Sequence, residues 1–128
     1  MKYLLDTCTF LWFISGDEKI SRLAADLIKN PENEILLSVI SNWECILKKK
    51  LGLSALPQPL AQSLQERRER HGIASLFLDE TSLAHLSKLP WHHKDPFDRM
   101  LICQALEHGL SIVTPDILIS QYPVKTVW

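Results

Sequence analysis

Four acids in this chain stand at comparable places. Asp6 directly follows the apolar run Tyr3-Leu4-Leu5, Glu44 comes shortly after Ile35-Leu36-Leu37-Ser38-Val39, and Asp116 follows Ser111-Ile112-Val113-Thr114. Asp98 lies in His92-His93-Lys94-Asp95-Pro96-Phe97-Asp98-Arg99-Met100-Leu101-Ile102-Cys103-Gln104-Ala105, where a polar loop meets an apolar helix. Carboxylates gathered in one place repel one another, and some are forced neutral unless a cation sits among them. Hard oxygen donors with no His or Cys ligand pattern suit Mg²⁺ or Mn²⁺. An ion of that kind activates water and neutralises charge on a phosphoryl group, so the chemistry indicated is hydrolysis of a phosphate ester.

Each acid taken singly has a plainer account as a turn or cap residue. Asp95 is a good N-cap, with Pro96 at the first helical position, and Asp98 at N3 suits the positive end of the helix. Ser41-Asn42-Trp43-Glu44 has the spacing of a capping box, which gives Glu44 a structural reason to exist. Repetition of the placement favours the metal.

The acids meet only if the surrounding elements bring them to one edge. Tyr3-Leu4-Leu5 reads as a short buried strand, and Thr9 to Ile14 as a helix broken at Ser15-Gly16-Asp17. Ser21 caps a helix to about Asn30, with Leu23, Ala24, Leu27 and Ile28 on one face. Ile35–Val39 is a second strand, apolar throughout and so covered on both faces. The Glu44 helix runs through Lys48-Lys49-Lys50 and stops near Gly52. After a Pro57/Pro59 loop, Leu60 to His71 is a helix with a very polar face. Ser75–Leu78 is a third strand, and a short helix covers about Ser82 to Lys88. The helix opened by Asp95 ends near His108-Gly109. Ser111–Thr114 is a fourth strand, Ile117 to Tyr122 a helical turn or two, and Val124–Val127 a last, edge strand.

Strands alternating with helices indicate an α/β fold with a mainly parallel central sheet of about five strands. In such sheets ligands bind outside the carboxyl ends of the strands. Asp6, Glu44 and Asp116 belong to that edge, and Asp98 joins them if its loop returns across it.

The 128 residues suit one domain, 1–128, large enough to fold without staples. Lys plus Arg at 14 against Asp plus Glu at 15 gives no overall nucleic-acid signal, so any such surface has to be local. Three widely spaced cysteines, Cys8, Cys45 and Cys103, form no metal-knuckle or redox pair. They read as thiols of a reducing, cytoplasmic compartment. No apolar run suits a signal peptide or a membrane span, and no membrane partner is expected.

Leu4-Leu5-Asp6-Thr7, the Glu44 helix, Asp95-Pro96-Phe97-Asp98-Arg99-Met100-Leu101-Ile102 and Val113-Thr114-Pro115-Asp116 together resemble the PIN domain. More closely they resemble VapC-type toxins of bacterial toxin–antitoxin pairs. The resemblance covers nearly the whole chain, including Gln121-Tyr122-Pro123-Val124, and the Asp-Pro-Phe-Asp-Arg run is its most specific part. It implies a PIN-like three-layer fold and a Mg²⁺- or Mn²⁺-dependent endoribonuclease leaving a 5′-phosphate and a 3′-hydroxyl. The family's acidic quartet falls on Asp6, Glu44, Asp98 and Asp116. Asp6 and Asp98 are then the primary metal ligands, with Asp116 direct or through water, and Glu44 completes the cluster and orients the attacking water. Thr114 fills the family's Ser/Thr place before the last acid. The resemblance also implies an RNA substrate, a cognate antitoxin blocking the acidic groove, and a homodimer.

Pro115 departs from the family pattern, because it removes a backbone donor before Asp116. Asp95 reads as the cap and not a ligand, while Arg99 is left open between a phosphate and an acid. His92-His93 could touch RNA or metal but reads first as an exposed loop pair, and Trp43 as packed under its helix. Lys48, Lys49, Lys50, Arg67, Arg68 and Arg70 are candidates for guiding an RNA backbone, although mixed charge on the Leu60–His71 helix favours a solvated face. Two rivals stand beside the nuclease. A haloacid-dehalogenase-like phosphatase needs a second aspartate where this chain has Cys8, and a non-catalytic acid-rimmed interaction domain needs no metal.

Overall fold

The computed structural model describes residues 1–48, 53 and 56–128. Its sheet has five strands in the order β3-β2-β1-β4-β5, all parallel. They are β1 (Lys2–Leu5), β2 (Glu34–Ser38), β3 (Ala74–Leu76), β4 (Ser111–Val113) and β5 (Thr126–Val127). Helices α1 (Thr7–Ser15), α2 (Arg22–Lys29), α3 (Val39–Leu47), α4 (Leu60–Arg70), α5 (Glu80–Leu83) and α6 (Pro96–His108) make the crossovers.

Period-two alternation divides each central strand between two apolar layers. Leu4, Leu36 and Ile112 pack on one face with Phe97, Leu101 and Ile102 of α6. Tyr3, Leu5, Ile35, Leu37 and Val113 pack on the other with Phe10 of α1, Ala24 of α2 and Leu64 of α4. The result is the expected three layers, with the central strands covered on both faces. The chain leaves β1 toward β2 and β3, then returns to place β4 on the other side of β1. Such a reversal opens a crevice at the carboxyl ends of the two strands, here between β1 and β4.

Some boundaries differ from the sequence expectation. The third strand is Ala74–Leu76 rather than Ser75–Leu78, because Leu76 pairs with Ser38, the last residue of β2. Beyond it β2 has already turned into helix, and Phe77 stands in solvent. The expected Ser82–Lys88 helix is two pieces, α5 capped by Asp79 and a 3₁₀ turn at Leu86–Lys88. Leu23 lies outside the buried face of α2, where Ala24 and Ile28 point inward.

The capping box at Ser41 does not form. α3 starts at Val39, directly off β2, and Ser38 is its N-cap, its Oγ accepting from the Ile40 N–H at 3.0 Å. Glu44 therefore falls in the second turn. Lys48 closes this helix, while Lys49, Lys50 and Gly52 lie outside the described residues. α6 keeps the expected ends: Asp95 accepts from the Phe97 and Asp98 N–H groups, Pro96 is at N1, and Gly109 (φ 64°) takes the left-handed turn that a side chain resists.

Candidate metal centre

α6 runs antiparallel to the strands, so its N-terminus returns to their carboxyl edge and brings Asp98 to the other three acids. Asp6 holds the N-cap position of α1, yet its carboxylate makes no capping bond. Its Oδ2 instead accepts from Thr114 Oγ1 at 2.6 Å and from the Cys8 thiol at 3.4 Å. Thr114 Oγ1 in turn accepts from the Asp116 N–H at 3.0 Å, so one hydroxyl ties the ends of β1 and β4 together. Pro115 leaves that donor in place.

Asp116 divides its two oxygens. Oδ1 closes a local turn by accepting from the Leu118 N–H, and Oδ2 faces into the crevice. Glu44 is buried; its Oε2 meets Lys48 Nζ at 2.7 Å, and its Oε1 has no hydrogen-bond partner. Lys48 Nζ also reaches Asp95 Oδ2 at 2.9 Å. Those two bonds outweigh the burial of the ammonium and hold its pKa above the ordinary lysine range. Against the effect of burial, the bond from Lys48 and those from the Phe97 and Asp98 N–H groups hold Asp95 below its ordinary range.

The cluster is electrostatically frustrated. Burial pushes the Asp98 carboxyl up to about 8, with the charges of Asp6, Asp95, Glu44 and Asp116 adding to it. Burial also raises Asp6, with Glu44 and Asp116 contributing, against the lowering effect of the Thr114 and Cys8 bonds. Asp98 thus feels the charge of the other three expected acids, and Asp6 that of Glu44 and Asp116, as acids near one rim would. An orphaned buried carboxylate oxygen costs free energy unless something binds it. Among the described residues, His93, Asp98 and Asp116 each place a ligand atom within 4.8 Å of the others, a group that could hold a metal ion, and the carboxylates of Asp6 and Glu44 could add hard oxygen donors to it.

His93 belongs to this cluster, contrary to the expectation of an exposed loop pair. His92 is exposed and stands edge-on to the Tyr122 ring. The His93 ring is buried, with Nε2 at 2.9 Å from Asp116 Oδ2 and 3.0 Å from Asp98 Oδ2. Arg99, left open by the sequence, meets neither an acid nor open solvent. It is buried, donates to the Pro90 carbonyl at 2.8 Å and lies over the Trp91 ring. Tyr122 Oη donates to the same carbonyl and accepts from the His93 N–H. Together Arg99 and Tyr122 clamp the loop that carries His93.

Trp43 does not pack under its helix: it is 57% exposed and stands edge-on to Phe97. With Leu83, Trp91 and Met100 it lines an open apolar groove beside the rim. Arg68 is engaged by the Ile73 carbonyl and Glu69, whereas Arg67 is half-buried and Arg70 exposed on α4.

Residues 3–125 match the PIN domain family. The chain belongs to the PIN domain family. Among curated PIN-like relatives, Ribonuclease VapC16 of Mycobacterium tuberculosis is 35% identical over 71 residues, a stretch spanning 50% of this chain and 50% of that protein. The fold is shared with solved toxin–antitoxin structures. A chain of DNA-bound VapBC from Salmonella typhimurium superposes with a TM-score of 0.70 at 19% identity, over 99% of this chain and 97% of that one. VapBC-1 from nontypeable Haemophilus influenzae gives 0.68 at 21% identity, over 99% and 97%. Membership of the PIN family sets aside the phosphatase rival.

Lys48, read from the sequence as a possible guide for RNA, and His93, read first as an exposed loop residue, are the site residues whose places in this PIN domain the sequence did not give. The Glu44–Lys48 spacing is an i,i+4 pair and signals an ion pair on one helix face. His93 carries no such local signal, because the loop path that buries it is set by Arg99 and Tyr122.

Proposed function

We propose that this PIN domain is a Mg²⁺- or Mn²⁺-dependent endoribonuclease, the toxin of a toxin–antitoxin pair. The observation that carries the reading is a partly buried acidic cluster at the β1/β4 crevice, in which burial and neighbouring acids push the Asp98 carboxyl up. Asp6 and Asp98 are assigned as the primary ligands of the ion, with Asp116 and Glu44 completing the set. When bound, a divalent cation of this kind supplies charge neutralisation at a phosphoryl group and acidifies a water.

The chain's own groups do the rest. Thr114 holds Asp6 by its Oδ2 and fixes the Asp116 backbone. Lys48 engages one oxygen of Glu44 and leaves Oε1 free to accept a proton from, and so orient, an attacking water. Phosphodiester hydrolysis then leaves a 5′-phosphate and a 3′-hydroxyl.

Partners follow from the relatives. The half-length likeness to a ribonuclease supports RNA as substrate, and the likeness to VapBC structures supports an antitoxin partner. That the antitoxin covers the acidic groove and that the toxin pairs as a homodimer are what the family resemblance implies. No described helix is long and apolar enough to cross a membrane, and a cytoplasmic place is part of the proposed reading.

The test is cleavage of total RNA by the purified protein with Mg²⁺ or Mn²⁺, beside Asp98→Asn and an EDTA control. Cleavage lost in both controls is the expected result. A folded protein that neither cleaves RNA nor binds either ion would return the acids to structural duty and leave the interaction-domain reading in front.

A further inference from the structure

His93 has a second feature besides its closeness to two acids. Its Nδ1 accepts from the Asp95 backbone N–H at 3.1 Å. A nitrogen that accepts a hydrogen bond carries no proton, so the ring proton is on Nε2. That Nε2–H points at Asp98 Oδ2 and Asp116 Oδ2, at 3.0 and 2.9 Å. The same contact argues against a ligand role, because direct metal ligation through Nε2 would move the proton to Nδ1, against the Asp95 N–H.

We infer that His93 is a positioning residue whose Nε2–H, fixed by the Asp95 N–H, spans Asp98 and Asp116 and sets the spacing of these two carboxylates. The inference rests on the metal reading above for its purpose, and on geometry alone for its tautomer. One oxygen of each acid is engaged by the imidazole. The donors left for the ion are all carboxylate oxygens, so the site keeps the hard character that suits Mg²⁺. Outer-shell groups that orient ligands in this way typically change metal affinity 10–100-fold when removed. The clamp reaches His93 from the far side: its N–H donates to Tyr122 Oη at 2.9 Å, and Tyr122 and Arg99 share the Pro90 carbonyl. The 3₁₀ turn Ile119–Gln121 and α6 thus aim the ring from outside the acidic rim.

The test uses the full chain labelled with ¹⁵N-histidine, first metal-free and then with saturating Mg²⁺, with the His93 signals assigned by their loss in His93→Gln. Imidazole ¹H–¹⁵N correlations are expected to show a protonated Nε2 and a bare Nδ1 in both states. Calorimetric Mg²⁺ titration is expected to give about 10–100-fold weaker binding in His93→Leu. His93→Gln, which can place an N–H near the Nε2 position, is expected to stay within about threefold of the parent. A proton on Nδ1, loss of the Nε2 proton when Mg²⁺ is added, or unchanged affinity in His93→Leu would each overturn the assignment. Should His93→Leu fail to fold, the tautomer in the unsubstituted protein still decides. A correct tautomer in a protein that binds no Mg²⁺ would bring down the metal reading and the positioning role together, whereas a wrong tautomer with intact Mg²⁺ binding would remove only the role of His93.

Discussion

On the proposed metal-site reading, Asp98 is the group where stability and function are most directly opposed. Its carboxyl titrates at about 8 in the fold, against an ordinary 3.8, chiefly because it is buried and then because of neighbouring acids. A folded pKa above the unfolded one means the native state holds a proton that the unfolded state has released. Its contribution is therefore fully present below about pH 4 and is lost as pH rises through about 8. Metal-free protein is expected to melt at a lower temperature at pH 8 than at pH 6. Asp98→Asn is expected to stabilise the metal-free protein at pH 8, by on the order of 1–2 kcal/mol, and to abolish cleavage. Mg²⁺ at about a hundred times its Kd should stabilise the parent by about 2.7 kcal/mol and leave Asp98→Asn unmoved. Denaturant titrations with and without Mg²⁺ check all three. Asp6→Asn should keep the fold and likewise lose Mg²⁺ binding and cleavage. A melting profile flat in pH and indifferent to Mg²⁺ would contradict this account.

Helix starts show why a cap and a ligand need separating in this chain. Asp95 and Asp98 are three residues apart, and only the first caps α6. Asp95→Ala is expected to cost about 1–2 kcal/mol in stability and to retain metal-dependent cleavage. Asp98→Asn is expected to do the reverse, so comparing the pair in one denaturation and cleavage series tests the division of roles. At the start of α3, Ser38 Oγ both caps the helix and donates to Gln104 Oε1 at 2.6 Å, linking it to the buried side of α6. Ser38→Ala removes the cap and leaves a buried amide oxygen without that donor. An expected loss of about 2–3 kcal/mol combines a cap with an unsatisfied polar atom, and urea unfolding measures it. These helix starts fix where Glu44 and Asp98 stand, because each follows its cap by a set number of residues along a rigid element.

Charge balance governs how the protein as a body meets a polyanion. The formal net charge is −1, and the crevice itself is acidic, so the proposed RNA substrate would have to be drawn by a local basic surface. Lys48 is committed to Glu44 and Asp95, and Arg68 to Ile73 and Glu69. Arg67 and Arg70 remain on α4 as candidates among the described residues. If each meets one phosphate, replacing both with Ala in an Asp98→Asn background should reduce the salt dependence of RNA binding by about 1.4 in log–log slope. An unchanged slope would move the RNA path away from α4.

The sequence by itself determined the alternation of strands and helices, the N-cap and stop of α6 and the doubly covered central strands. Those follow from local rules: hydrophobic period, cap chemistry and the left-handed turn at glycine. It misplaced the start of α3, because Ser38 and Ser41 are both good caps and the choice between them depends on where β2 stops pairing with its neighbours. It overextended β3 for the same reason, since an edge strand ends where its partner does. Tertiary structure alone decided that Trp43 faces solvent and that Arg99 is a buried clamp. It also decided that His93 stands between Asp98 and Asp116 while His92, next to it in the chain, faces out. Adjacent residues with the same side chain have the same local propensities. Only packing against distant groups, here Tyr122 and Arg99 on one side and the acids of β4 and α6 on the other, sends one inward.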